Sequence, residues 1–92
     1  MTTTVRDNPA EGRYEIVVDD VLAGFTQYHD RDGVLVFPHT EVFDGHEGQG
    51  LASTLVQGAL DDVRAKGLTI VPECAYVARW LGKHPDYADL VA

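Results

Sequence analysis

Three glycines fall within six positions of the segment Asp44-Gly45-His46-Glu47-Gly48-Gln49-Gly50-Leu51-Ala52-Ser53, and the last of them runs straight into the strongest helical pattern in the chain. Chemistry follows from that placement. The first turn of a helix exposes amides without intrahelical acceptors and the positive end of the helix dipole, and glycine lets an anion approach the main chain with no side chain in the way. As letters alone, the segment also spells a flexible loop with no ligand; its position between a strand and a helix is what favours an anion site. Neither the Walker lysine pattern nor a full Gly-x-Gly-x-x-Gly fingerprint is present, so a nucleoside triphosphate or a dinucleotide is poorly supported.

The elements that must position this segment are readable around it. Val5–Asn8 reads as a short edge strand, followed by the turn Asn8-Pro9-Ala10-Glu11-Gly12. In Arg13–Val18 the residues Tyr14, Ile16 and Val18 alternate with more polar ones, which is strand period; Asp19-Asp20 turns the chain into a second strand, Leu22–Tyr28, where Gly24 suits a bulge or a close backbone approach. His29–Gly33 reads as an acidic turn. Val34–Val42 then reads as one long strand bent at Pro38, which cannot donate to a ladder and needs a bulge, an edge or a place where strands splay apart.

From Gly50 to Lys66 the period changes to that of a helix, with Leu51, Leu55, Val56, Ala59, Leu60 and Val63 on one face and Gly67 as its stop. Leu68–Val71 is a short buried strand closed by Pro72. A second helix spans Ala75–Lys83, with Tyr76, Val77, Trp80 and Leu81 on its apolar face, and Pro85 starts a last turn containing Tyr87 and Leu90. A strand, a crossover helix and a parallel strand make a right-handed βαβ unit, here appended to a meander. The fold class is α+β: a mixed, mostly antiparallel sheet with a βαβ unit and flanking helices.

At 92 residues the chain has room for one core, so residues 1–92 read as a single domain. Its 45% apolar and 24% charged content is that of a globular protein. A net charge of −8 without a basic run argues against nucleic acid and gives a slight preference for a cationic partner. Cys74 stands alone, which rules out an intramolecular disulfide and a zinc site of several thiolates and fits a reducing, cytoplasmic setting. No stretch has the length of a membrane span or the pattern of a signal peptide, so neither membrane nor export is expected.

At the glycine segment the sequence resembles the Gcn5-related N-acetyltransferases, whose signature is Gln or Arg, two variable residues, Gly, one variable residue, then Gly or Ala; here it reads Glu47-Gly48-Gln49-Gly50-Leu51-Ala52. Glu47 departs from that pattern, which removes side-chain help to a pyrophosphate at that position and leaves the backbone donors in place. His39-Thr40-Glu41-Val42, Val71-Pro72-Glu73-Cys74-Ala75-Tyr76-Val77 and His84-Pro85-Asp86-Tyr87 narrow the resemblance to the small single-domain group called the YjdJ type, over roughly Val17 to Tyr87. The resemblance implies that two parallel strands splay apart to admit the coenzyme, with Pro38 near the bend of one wall. It also implies binding of acetyl-CoA or coenzyme A through Gly48, Gln49, Gly50, Leu51, Ala52 and Ser53.

Transfer of the acetyl group to an amine, on a small molecule or a protein, is the activity the resemblance implies. Such a transfer needs a base for the amine and a proton for the leaving thiolate. His39 and Glu41, two apart on a strand and hence on one face, are candidates for the base or for orienting the amine; both also fit as plain surface residues. Cys74, near a helix start that favours thiolate, either attacks the thioester or fills core space. Tyr76 and Tyr87 are conceivable acids that also suit packing, Trp80 is assigned to the core, and His84 to a cap of the last turn. Only Asp19 to Val21 separates the first two clear strands, so the acceptor site must be open, and this keeps in view a non-catalytic acyl-CoA-binding or sensing module. A third reading, a fold that has lost its ligand, rests on the negative charge of Glu47.

Overall fold

The computed structural model describes residues 2–92. Strands β1 (Thr3–Asn8), β2 (Arg13–Val18) and β3 (Val21–Gln27) form an antiparallel meander. Next come β4 (His29–Arg31), β5 (Val34–Val36), β6 (Thr40–Val42), helix α1 (Leu51–Ala65), β7 (Thr69–Val71), helix α2 (Ala75–Lys83) and a 3₁₀ helix (Pro85–Leu90). They build two sheets, one ordered β1-β2-β3-β6 and the other β4-β5-β7. The α+β class read from the sequence holds, and β5 and β7 run parallel on either side of the α1 crossover.

The turns follow from residue chemistry. Asp19 and Asp20 both take positive φ (48° and 68°), as do Asp32 and Gly33 (54° and 87°), the backbone that closes a two-residue hairpin with the twist of its strands. The sequence assigned all of His29–Gly33 to a turn, whereas only Asp32-Gly33 turns and His29–Arg31 pairs with Val34–Val36. Those three strand residues are all exposed, so no apolar alternation marks them. Helix α1 ends as its glycine predicts: Gly67 has φ 69°, Leu68 N donates to Val63 O (3.1 Å) and Gly67 N to Arg64 O (3.1 Å).

The expected single strand Val34–Val42 is two strands in two sheets. Before Pro38 the backbone bonds to β7, with Phe37 N donating to Val71 O at 3.0 Å; after it the chain bonds to β3, with His39 O accepting from Gln27 N at 2.8 Å. Pro38, having no N–H, occupies the crossover at no cost in hydrogen bonds. One core holds the parts together: Tyr14 and Ile16 from the large sheet, Leu35 and Ile70 from the small one, Leu55 and Leu60 from α1, and Val77 and Trp80 from α2 belong to a single buried cluster. Among the described residues no helix is long and apolar enough to cross a membrane.

Candidate functional site

Beyond β6 the chain turns tightly, with His46 N bonded to Phe43 O (3.1 Å), and reaches α1 through Gly45, Gly48 and Gly50 at φ of 89°, 77° and 72°. Any other residue is strained at such angles. Gly50 is the N-cap, and the first helical bond runs from Thr54 N to Gly50 O (3.2 Å). Upstream of it the amides of Leu51, Ala52 and Ser53 have no capping side chain, and the first turn carries no acidic residue. A Cβ added at Gly48 or Gly50 meets nothing within 4 Å, so these glycines serve their backbone angles and the space above them is open. That space is a cavity of about 210 Å³ bordered by Val42, His46, Glu47, Gly48, Gly50, Leu51, Ala52, Ser53 and Tyr76. Gln49 is exposed and does not border it.

The Glu47 carboxylate bonds within the turn before it: Oε2 accepts from Gly45 N at 3.0 Å. Its own amide first, and that of Gly45 with it, hold the carboxyl below its usual range. The carboxylate therefore does not cap the first turn of α1, which keeps its free donors, and its charge remains at the rim of the cavity.

The wall of the cleft is β6, paired only with β3 through Gly24↔Val42, Phe25↔Glu41 and Thr26↔Thr40. A Cβ on Gly24 would lie 2.5 Å from the Glu41 carbonyl oxygen, so glycine is what allows the two strands to meet. Alternation divides the candidates. His39 and Glu41 share the face of Phe25, with His39 Nε2 and Glu41 Oε1 3.3 Å apart and both exposed. Phe25 meets the rings of His39 and Phe43 edge-on, at 6.0 and 5.9 Å between centroids.

Thr40 takes the opposite face. Its hydroxyl lies 2.8 Å from Thr26 Oγ1 and 3.5 Å from Cys74 Sγ, which makes a short polar chain in the core. Cys74 is buried at the N-cap of α2, and its amide donates to Phe37 O (2.7 Å) where the two sheets part. Burial pushes its thiol up, but the Thr40 hydroxyl and the amides of Val77 and Tyr76 outweigh that and bring it below its ordinary value. His39 and Glu41 are thus brought together, and Cys74 stands apart from them with a partner the sequence reading missed. The alternation that puts His39 and Glu41 on one face already puts Thr40 on the other.

Ser53 and Tyr76 also border a second cavity, of about 380 Å³, with Arg79, Trp80, Lys83 and His84 of α2 and its end. Trp80 is buried, as expected, and its Nε1 donates to Ser53 Oγ at 2.9 Å. His84 stacks on Trp80 at 3.8 Å, and its Nδ1 donates to Trp80 O at 2.7 Å. Its ring therefore caps the end of α2, whereas the last turn takes only its carbonyl, bonded to Tyr87 N at 3.0 Å. The Tyr87 hydroxyl donates to Asp61 Oδ1 (2.7 Å), and the residue borders neither cavity. Among the described residues no cluster of three His, Cys, Asp or Glu is placed to hold a metal ion.

Residues 13–90 match a family model described as GCN5-related N-acetyl-transferase. No curated protein sequence matches. Among solved structures, the chain is similar to a GCN5-like candidate N-acetyltransferase from Staphylococcus aureus, with TM-score 0.72 and 22% identity over 97% of this chain and 87% of that one. It is similar to the ribosomal-protein-alanine N-acetyltransferase from Brucella melitensis biovar Abortus 2308, with TM-score 0.56 and 19% identity over 87% of this chain and 62% of that one. A candidate acetyltransferase from Desulfovibrio desulfuricans gives TM-score 0.58 and 20% identity, over 77% of this chain and 52% of the other. This chain thus spans less than two thirds of the last two, and at these identities the likeness is one of fold.

Proposed function

Since the chain belongs to the GCN5-related N-acetyltransferase family, we propose that it binds acetyl-CoA in the cleft beside β6 and transfers the acetyl group to an amine. One observation carries the reading. Val42, on the strand that follows the parting of the sheets at Pro38, borders one cavity with a helix whose first three amides lack protein acceptors and with left-handed glycines that have open space above them. Such a cradle suits a pyrophosphate held by main-chain donors. Gly48, Gly50, Leu51, Ala52 and Ser53 would hold it, with Gln49 contributing its amide only. We further assign the chain to the small YjdJ-type group, on the His39–Val42 and Val71–Val77 segments.

Acetyl-CoA supplies the activated acetyl group as a thioester. On the protein side, Glu41 with His39 accepts the proton that the amine sheds, since the pair is exposed on the edge strand and its two side chains already share a contact. Cys74, its thiol lowered by Thr40 and the α2 amides, meets β6 from the other face and is the candidate nucleophile: it would take the acetyl group from the thioester, the coenzyme A thiolate leaving with the thiol proton, and then yield it to the amine. The acceptor side is open, because β2 and β3 are joined only by the turn Asp19-Asp20. The acceptor is therefore an amine presented at the surface, on a small molecule or a protein.

Calorimetric titration with acetyl-CoA and coenzyme A tests the binding, and a Gly50→Val variant, strained at φ 72°, should lose it while remaining folded. Unchanged affinity in that variant overturns the pyrophosphate assignment. Intact-mass measurement after incubation with acetyl-CoA then separates the roles of Cys74: an acetyl adduct makes it a nucleophile, and its absence leaves direct transfer to the amine. Binding with no release of free thiol across a panel of amines would favour a coenzyme-sensing module over a transferase.

A further inference from the structure

The second cavity has a charge pattern that the pyrophosphate reading does not use. The chain carries seven Lys and Arg residues against fifteen Asp and Glu. Four of the seven, Arg6, Arg13, Arg64 and Lys66, are in ion pairs with carboxylates. Among the described residues, Arg31, Arg79 and Lys83 have no such pair, and two of these three sit together on this one groove. Arg79 and Lys83 are four apart on α2, exposed, and no carboxylate borders the groove with them. In so acidic a protein, two adjacent unpaired cations in a concave site mark a place for an anion from outside.

The floor of the groove agrees. Ser53 Oγ accepts from Trp80 Nε1, so its own proton is free to be donated elsewhere. His84 Nδ1 is committed to the Trp80 carbonyl, which fixes the ring against the indole and leaves Nε2 unengaged by any side chain or backbone group. Ser53 and Tyr76 border both cavities, so the groove continues the cleft from the first turn of α1. A ligand filling both carries two separate anionic groups.

We propose that the groove between Ser53 and α2, with Arg79 and Lys83 as its cations, is a subsite for the ribose 3′-phosphate of coenzyme A, so that this chain discriminates coenzyme A from dephospho-coenzyme A. The proposal rests on the coenzyme reading above and adds to it a basis for choosing between two coenzymes that share the same pyrophosphate and pantetheine. A phosphate monoester facing two cations and a hydroxyl gains charge-assisted hydrogen bonds that the dephosphorylated form cannot make.

The test is calorimetry of the wild type and of the double variant Arg79→Gln, Lys83→Gln with coenzyme A and dephospho-coenzyme A, at low salt and at 0.3 M salt. Both residues are exposed and outside the core, so circular dichroism should confirm an unchanged fold. The wild type should bind coenzyme A about tenfold more tightly than the dephospho form, as two solvent-facing charge-assisted contacts imply. That preference should shrink with salt and vanish in the double variant, whose affinity for dephospho-coenzyme A stays as in the wild type. Equal binding of the two coenzymes by the wild type, or a preference that survives the double substitution, overturns the subsite while leaving the coenzyme reading intact. Failure of both coenzymes to bind overturns the coenzyme reading and the subsite with it.

Discussion

Thr40 sits between two groups that want different things from its hydroxyl. Thr26 Oγ1 is fully buried and finds its side-chain partner at 2.8 Å in Thr40, while Cys74 Sγ, 3.5 Å away, offers its proton when neutral and accepts one when ionised. With Cys74 as thiolate, Thr40 donates to sulfur and Thr26 donates to Thr40, a chain that exists only for the charged form. Replacing Thr40 with Val should therefore raise the Cys74 thiol pKa and also leave Thr26 short of a partner, at a cost of about 1–3 kcal/mol in stability. The rate of alkylation of Cys74 against pH reads the first effect: its midpoint should move to higher pH in Thr40→Val and stay in place in Thr40→Ser, which keeps the hydroxyl. A midpoint unmoved by Val would mean that the amides of Tyr76 and Val77 alone hold the thiolate. Glu47 teaches a related lesson, since its carboxylate bonds to its own amide and to that of Gly45 instead of capping the helix that follows.

At the scale of elements, the position of β6 decides the cleft, and Gly24 decides the position of β6. An added Cβ at Gly24 meets backbone, the Glu41 carbonyl at 2.5 Å and Val42 Cα at 3.1 Å, and neither can swing aside. Gly58 of α1 is also crowded, but by the Val5 side chain at 2.8 Å on an edge strand, which can give way. Gly24→Ala should thus cost about 1–3 kcal/mol and also push the cleft wall outward, weakening acetyl-CoA binding, whereas Gly58→Ala should touch stability alone; thermal melts with calorimetry on both variants separate the two. A Gly24→Ala protein with full affinity would show that the wall is not where the ligand binds. The same strands show where sequence reasoning reaches its limit. Arg13–Val18 and Ala75–Lys83 were legible to the residue because apolar spacing and flanking turns agree there. The split at Pro38 was legible only as a bend, because β-formers flank the proline on both sides and only the choice of partner, β7 before the proline and β3 after it, makes two strands of the segment. Within the candidate site the left-handed glycines were legible, because backbone angles dictate residue type there, whereas the sequence was silent at Arg79 and Lys83, whose proposed role depends on a cavity shared with Ser53, far away in the chain.

For the whole molecule, the open face of the large sheet is closed by a charge instead of by a helix. Glu15 is buried on β2, on the face opposite Tyr14 and Ile16, and it accepts from Arg6 Nε (2.9 Å), Arg13 Nε (2.8 Å) and Asn8 Nδ2 (3.1 Å). Arg13 in turn lies over the Phe25 ring at 4.7 Å, so the arginines shield the carboxylate and the apolar surface of β3 together. Burial alone would raise the Glu15 pKa, but the bonds from Arg13, Asn8 and Arg6 prevail and lower it from the ordinary 4.5. Across the fold, Asp62 is shifted the same way: burial raises it, and Lys66 and the Tyr14 hydroxyl overcome that to hold it below 3.8. Groups with folded pKa values below their unfolded ones contribute stability that is complete above the unfolded value and is lost as pH falls through the folded one. The melting temperature should therefore hold steady down to about pH 5 and fall steeply below pH 4.5. Glu15→Gln should be less stable than the wild type at pH 7, by on the order of 2 kcal/mol for lost charged hydrogen bonds, and should show a shallower acid limb, so that the two melting curves converge towards pH 3. Parallel acid limbs would mean that the Glu15 pKa is the same in the folded and unfolded protein, and that the arginines stabilise the sheet by packing alone.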